Sequence, residues 1–395
     1  WPTWKSASQR TAVSEIAMPE LIINAEIFAP EHIGSGQVLV AGHGIAAVGD
    51  AVDIGGAAVT VIDAQGQWLL PGFVDALTHP AGGGGEGGFG NRTPELTAND
   101  FINAGVTSPV GALGTDSITR SLDVLFGKVM ELRRQGLGAC MYTGAYRVPA
   151  PTLTGDVARD ICLIDPVIGV GEVAVSDHRS AQPTVDELRR LAAEARLGGV
   201  ISGKAGVVFV HLGDGERRLA PLREALAGSE LPADAFYPTH VNRNSALLKE
   251  AADFARSGAW VDITASTTPE LIAAGDIAAL DAMRMLMEDG APAERISISS
   301  DAGGSLPVYE NGVLTGLTAA GPDSLLDVFC EAAATGTEAT TLVLAALTRN
   351  PANALGLHDR GRLEAGARAD LLLFDPASNQ LTGVMSDGNW LREPH

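Results

Sequence analysis

Hydrophobic and polar positions divide the chain into two ends of one character and a long middle of another. Residues 21–48 read as short strands, LIINAEIF and QVLVAGHGIAAVG, with turn residues between them. Residues 59–70 add a further strand pair. The stretch RLEAGARADLLLFDP, residues 362–376, is a turn followed by a strand. Two β-rich ends predict one small β-sandwich-like domain assembled from both termini, residues 18–70 and 357–395. Residues 71–356 then form a domain inserted between them.

The middle alternates apolar β-rich runs with helical stretches. The runs are GFVDALTH, GVTSPVGAL, ACMYTGAY, VIGVGEVAVSDH, GVVFVHLGD, FYPTHVN, WVDITAS and RISISSD. Between them lie segments such as SLDVLFGKVMELRRQG, TVDELRRLAAEARLGG and ALLKEAADFARSG, with apolar residues at helical spacing and glycine at their ends. Eight such runs separated by helices predict a (β/α)8 TIM barrel. A doubly wound sheet is the alternative, and a Gly-rich phosphate turn after its first strand would be expected of it. The run AGGGGEGGFG, residues 81–90, follows a strand directly and holds one carboxylate. It reads as a loop whose backbone approaches a ligand, and no Gly-Lys-Ser/Thr follows that would make it a phosphate loop.

Composition narrows the partners. Of 395 residues, 27 are Lys or Arg and 48 are Asp or Glu, a net charge of −21. So acidic a surface repels phosphate backbones and anionic lipid, so neither nucleic acid nor membrane is an expected partner. Three widely spaced cysteines (Cys140, Cys162 and Cys330) make neither a disulfide framework nor a cysteine-based zinc site. No apolar run is long enough to span a membrane. Residues 1–17 lack the pattern of a secretory signal and read as a tag, scar or loose arm. The expected location is cytoplasmic.

Barrel enzymes place their chemistry at the C-terminal ends of the strands. The last polar residues of the runs give His79, then Glu172 with Asp177-His178-Arg179 nearby, then His211, His240 and Asp301. Three imidazoles and two carboxylates converging on one mouth, with no thiol, suit Zn²⁺ or a related divalent ion. Asp301 is placed to take a proton from an activated water and return it to a leaving amine. Arg179 and Arg243 can grip carboxylates and suggest an anionic small substrate, although ion pairs at the barrel mouth would also account for them. Tyr146 could donate to a developing oxyanion or be a packed aromatic.

These residues sit in stretches that resemble the amidohydrolase superfamily and, within it, the isoaspartyl dipeptidases. The general marks are LLPGFVDALTH, SISSD and GRLEAGARADLLLFD. The more specific ones are GGGGEGG followed by RTPEL, AGVTSPVGALGTDSITR, TGAYRVP, VIGV…SDHRS, KAGVVFVHLGD, PTHVNRN and SSDAGGS, in order over about residues 20–385. The resemblance implies hydrolysis of β-aspartyl dipeptides at a two-zinc site. It also suggests a symmetric homo-oligomer, in the family an octamer. His79 and Asp301 would hold the first metal, and His211 and His240 the second. Glu86 would hold the substrate's α-amino group, Arg179 and Arg243 its carboxylates, and Tyr146 would polarise the scissile carbonyl. Thr115 and Ser305 would add polar contacts, and Gly84 would offer backbone.

The chain departs from that pattern twice. The first strand ends Leu77-Thr78-His79 where the family has His-x-His, so one ligand of the first metal is missing. The family's bridging lysine carbamate is also absent, because Gly171-Glu172 continues the VIGV run. Glu172 is the expected bridging carboxylate. One firmly held zinc, with the second weak or absent, is the consequence expected. Two other functions stay open: a different amidohydrolase acting on N-acyl amino acids or cyclic amides, and a catalytically impaired homologue that binds a ligand or is structural.

Overall fold

The structure, a computed structural model, describes residues 18–310 and 313–394, so the arm expected over residues 1–17 lies outside the described residues. Each of the eight runs contains a strand: Phe73–Thr78, Val106–Gly111, Cys140–Thr143, Val167–Val175, Val207–Leu212, Phe236–Thr239, Val261–Thr264 and Ile296–Ser299. The first six form one parallel sheet in chain order, and the last two pair in parallel. Thr239 reaches across to the Asp262 carboxylate on the seventh strand. The end of the eighth strand returns to the first, where Thr78 bridges Ala302 and the His79 amide donates to the Ala302 carbonyl at 2.6 Å. The ring is a (β/α)8 barrel.

The helices follow from local sequence. Val185–Ser202 opens on a capping box, with the Thr184 hydroxyl accepting from the Glu187 amide and the Glu187 carboxylate accepting from the Thr184 amide. It stops at Gly203, in left-handed backbone. Its inner face buries Leu188, Leu191, Ala192 and Ala195 against the barrel. Each fully buried leucine is worth roughly 1.5–3 kcal/mol over an exposed one. Asn244 caps Ser245–Arg256 in the same way, accepting from the Leu247 amide.

Strands from both ends of the chain make a single mixed sheet of eight. Along one path run Asn389–Arg392, Gln380–Ser386, Leu371–Asp375, Trp68–Pro71, Glu20–Phe28, His32–Ala41 and Gly44–Gly49, while Thr60–Asp63 pairs Glu20–Phe28 off the path. The two strands expected over residues 59–70 thus both join Glu20–Phe28, in parallel, rather than each other. Ile22, Ile27, Val38, Leu69, Leu371 and Met385 form this domain's own core. A further antiparallel hairpin, Ser305–Glu310 with Val313–Ala319, follows the eighth barrel strand and overhangs the barrel mouth.

Candidate active site

The metal-ligand candidates are positioned by irregular backbone. In the fourth barrel strand Gly171 and Glu172 together stand opposite the single residue Phe209, a bulge of the kind that re-aims a side chain. Gly171 makes room for it: a Cβ there would meet the Phe209 carbonyl oxygen at 2.8 Å. His240 and Asp301, after the sixth and eighth strands, take left-handed backbone at φ +60° and +55°. Such strain in non-glycine residues concentrates at functional sites.

Glu172 is fully buried, and its Oε1 lies 2.7 Å from His211 Nδ1 and 3.2 Å from His240 Nε2. The far nitrogens are engaged elsewhere. His211 Nε2 donates to Asp177 at 3.0 Å, and His240 Nδ1 is 2.5 Å from the Thr264 hydroxyl. A neutral His211 held in this way turns a lone pair toward an oxygen that also carries only lone pairs. A proton or a cation must stand between them. The second Glu172 oxygen is buried with no hydrogen-bond partner among the described residues. It faces His79 Nε2 at 3.6 Å, and that nitrogen lies 3.1 Å from Asp301 Oδ1. His79 Nδ1 donates to the Ala112 carbonyl at 3.1 Å, which fixes the ring with Nε2 inward.

The donor set fits a divalent cation. Ligand atoms of Glu172, His211 and His240 all lie within 4.8 Å of one another. Two imidazoles and a carboxylate leaving one position open is a known catalytic zinc arrangement. His79, Asp301 and the orphaned Glu172 oxygen form a second, poorer set beside it. Leu77 is fully buried in a barrel cluster with Val74, Val110 and Tyr142 and offers no ligand atom. Burial disfavours charge on Glu172, but His211 and His240, both bonded to it, hold its carboxyl well below the usual range. Burial pushes His240 down to about 4, which leaves it neutral at pH 7. Burial acts in the same direction on His79, but Asp301 and Glu172 outweigh it and lift the ring to about 9.

The expected substrate contacts gather beside the cluster. Glu86 accepts from the Thr115 hydroxyl at 2.7 Å, from Arg179 Nη1 at 3.1 Å and from the Ser305 hydroxyl at 3.4 Å. Arg179 also grips Asp177 through Nε at 3.0 Å and Nη2 at 2.8 Å. The Tyr146 hydroxyl lies 2.8 Å from His211 Nδ1, and burial raises its pKa well above the usual phenol. Arg243 Nε is buried without a partner among the described residues. Gly84 approaches protein backbone: a Cβ there would sit 2.5 Å from the Asn91 carbonyl oxygen, at a φ of +73°. The glycine run is therefore needed at that point for its own fold, beyond any approach to a ligand.

A cavity of about 310 Å³ brings together Glu86, Arg179, His240, Arg243, Asp301 and Ser305. A larger one, about 740 Å³, lies between the outer helices Ala279–Glu288 and Thr337–Leu347 and contains none of these residues. The buried strand-end groups, not cavity size, mark the site. His178 has an exposed side chain at the cavity rim. Three contributors have roles that the sequence alone does not show. Asp177 fixes His211, Thr264 fixes His240, and Asn242 ties the sixth and seventh strand ends together through Thr264. The position of Asp177 in SDHRS, two residues before Arg179, was the one available sign.

Comparison with known proteins agrees with this geometry. The amidohydrolase family matches over residues 68–391. A beta-aspartyl dipeptidase from the thermophilic keratin degrader Fervidobacterium islandicum AW-1, solved with a beta-Asp-Leu dipeptide, is 40% identical. That match covers 95% of this chain and 97% of the other, with a TM-score of 0.87. A second structure of a beta-aspartyl dipeptidase from that organism gives 39%, the same coverages and 0.86. Dihydropyrimidinase from Brevibacillus agri NCHU1002 shares the fold at 17% identity and a TM-score of 0.65, over 95% of each chain. Matched over most of its length, the chain belongs to the amidohydrolase family.

Proposed function

We propose that the protein hydrolyses β-aspartyl dipeptides, releasing aspartate and a free amino acid, with a divalent cation held by Glu172, His211 and His240. The observation that carries this reading is the cavity in which a carboxylate anchor (Glu86) and Arg243, whose buried Nε has no hydrogen-bond partner among the described residues, flank Asp301 and the His/Glu cluster. That spacing of charge suits a small zwitterion, and the similarity to beta-aspartyl dipeptidases supports it.

A cation bound there would lower the pKa of a coordinated water and polarise the scissile carbonyl. The chain's own groups do the rest. Glu86, held ionised by Thr115 and Arg179 against the effect of burial, receives the substrate ammonium. Arg179 and Arg243 receive its carboxylates. Tyr146 keeps its proton at neutral pH and can donate to the carbonyl oxygen as charge develops. Asp301 takes a proton from the attacking water and passes it to the amine nitrogen as the C–N bond breaks. Ser305 and Thr115 hold Glu86 in place.

Zinc is the ion we assign, with the His79 and Asp301 pair as a weak second site because Leu77 supplies no donor. The free thiols Cys140, Cys162 and Cys330 fit a reducing, cytoplasmic setting. Self-association belongs to the same reading, supported by the exposed apolar side chains Leu197, Val200 and Ile201 on one outer helix. Leu77 favours a second reading, an impaired homologue that binds a dipeptide without turnover. A panel of β-Asp-Leu, α-Asp-Leu and N-acetyl-leucine, incubated with zinc-loaded protein, decides among these. Aspartate from β-Asp-Leu alone supports the proposal. Cleavage of N-acetyl-leucine alone supports a different amidohydrolase, and no product from any supports the impaired homologue.

A further inference from the structure

The cavity extends beyond the groups that the proposed reaction uses. Its lining also includes the apolar side chains Leu271, Leu306 and Leu317 and the polar ones Ser266, Thr267 and Asp276. The Ser266 hydroxyl is buried with no hydrogen-bond partner among the described residues. The Asp276 carboxylate makes no hydrogen bond or ion pair among them either. It is half-buried; desolvation pushes its pKa up to about 6, and the nearby charge of Arg243 acts in the opposite direction.

Its position is fixed. The Asp276 amide donates to the Leu271 carbonyl at 3.0 Å. The Ile277 amide donates to the Asn242 carbonyl at 2.8 Å, and Asn242 Nδ2 returns a bond to the Ile277 carbonyl at 2.8 Å. Asn242 is itself 2% exposed and precedes Arg243 directly. The carboxylate is thus held next to the arginine proposed to bind the α-carboxylate of the leaving residue. A side chain branching from that residue's α-carbon would share the cavity with those leucines and Asp276.

We propose that Asp276 selects the leaving residue of the dipeptide, favouring a long side chain with an apolar stem and a cationic end, lysine above all. The stem lies on Leu271, Leu306 and Leu317 and the ammonium meets Asp276 and the Ser266 hydroxyl. Long cationic side chains bury their stems in this way while keeping the charge among polar groups. An acidic side chain brings a second negative charge to a poorly solvated carboxylate and is disfavoured. This inference rests on the dipeptidase reading.

The test compares kcat/KM for β-Asp-Lys, β-Asp-norleucine and β-Asp-Glu in the wild type and in Asp276→Asn, with β-Asp-Leu as reference. Ratios taken within one protein do not depend on the amount of active enzyme. The wild type should prefer β-Asp-Lys over β-Asp-norleucine on the order of tenfold, the worth of one hydrogen bond to a charged group. In Asp276→Asn that ratio should fall toward unity, and β-Asp-Glu should gain relative to β-Asp-norleucine. Cleavage of β-Asp-Leu with no lysine preference overturns the inference and leaves the dipeptidase reading standing. So does a preference that survives the substitution, or a loss shared equally by all dipeptides, which would make Asp276 a support for Arg243. Absence of cleavage of every β-aspartyl dipeptide removes both.

Discussion

Leu77 and Asp301 separate what the site can hold from what it can do. Leu77, where the family resemblance would place a histidine, is packed in the barrel interior, so on the proposed reading the His79 and Asp301 pair lacks a donor that the His211 and His240 pair does not need. Leu77→His should raise firmly bound zinc from one ion per chain to two, read by elemental analysis of protein purified without chelator. Two ions in the wild type would contradict this. Asp301→Asn should lower kcat by about 10²–10⁴-fold, the usual worth of a positioned proton carrier, with little change in the unfolding midpoint. Full activity in that variant would take Asp301 out of the reaction. Asp75 belongs to the fold instead. Its carboxylate accepts from the Ser300 amide at 3.0 Å and from the Ser300 hydroxyl, next to Asp301. Burial outweighs these bonds and pushes its pKa up to about 7. An acid raised in this way favours the folded state fully below its unfolded pKa near 3.8, and that contribution is lost as pH rises through 7. Asp75→Asn should therefore gain thermal stability relative to the wild type between pH 5 and pH 8. A difference independent of pH would show that the carboxyl does not titrate there. Thr264 and Asn242 were not legible as functional residues, because each acts through a contact between different strands or loops that no local pattern encodes. The histidines were legible because each ends an apolar run.

Among the elements, the fourth barrel strand shows how a regular pattern gives an irregular site. VIGVGEVAV reads as a buried parallel strand, and it is one, but its register slips by a residue at Gly171-Glu172. Nothing in the apolar run announces the slip beyond the glycine itself. Gly171→Ala would drive a Cβ into the Phe209 carbonyl oxygen and straighten or displace the bulge. Overpacking of that kind costs typically 1–3 kcal/mol, and Glu172 would move with it. Lower thermal stability together with at least tenfold weaker zinc binding is expected by isothermal titration. Unchanged zinc affinity would show that the bulge does not position Glu172. The eight barrel strands were visible in sequence because a parallel strand buried on both faces must be apolar throughout. The antiparallel pair Ser305–Glu310 and Val313–Ala319 was not expected from the pattern, which ends its reading of the barrel at SISSD.

At the scale of the whole molecule, the two ends of the chain are joined by the antiparallel pairing of Leu371–Asp375 with Trp68–Pro71, the strand that leads into the barrel. The composite domain was predictable because both ends have the same strand-and-turn character. Its strand order was not, since Thr60–Asp63 and Trp68–Pro71 both find the first strand instead of one another. The barrel gathers into one cavity residues that are distant in sequence, from Glu86 in the first loop to Ser305 after the eighth strand. The proposed function depends on what that cavity does with an ion. The most direct measurement is the rate of aspartate release from β-Asp-Leu, with α-Asp-Leu as control, as zinc is returned to chelator-stripped protein. A zinc-dependent β-aspartyl dipeptidase should show no release without zinc, a rate that saturates near one ion per chain, and no release from α-Asp-Leu. Release without added metal, equal release from both dipeptides, or none at any zinc level would contradict it.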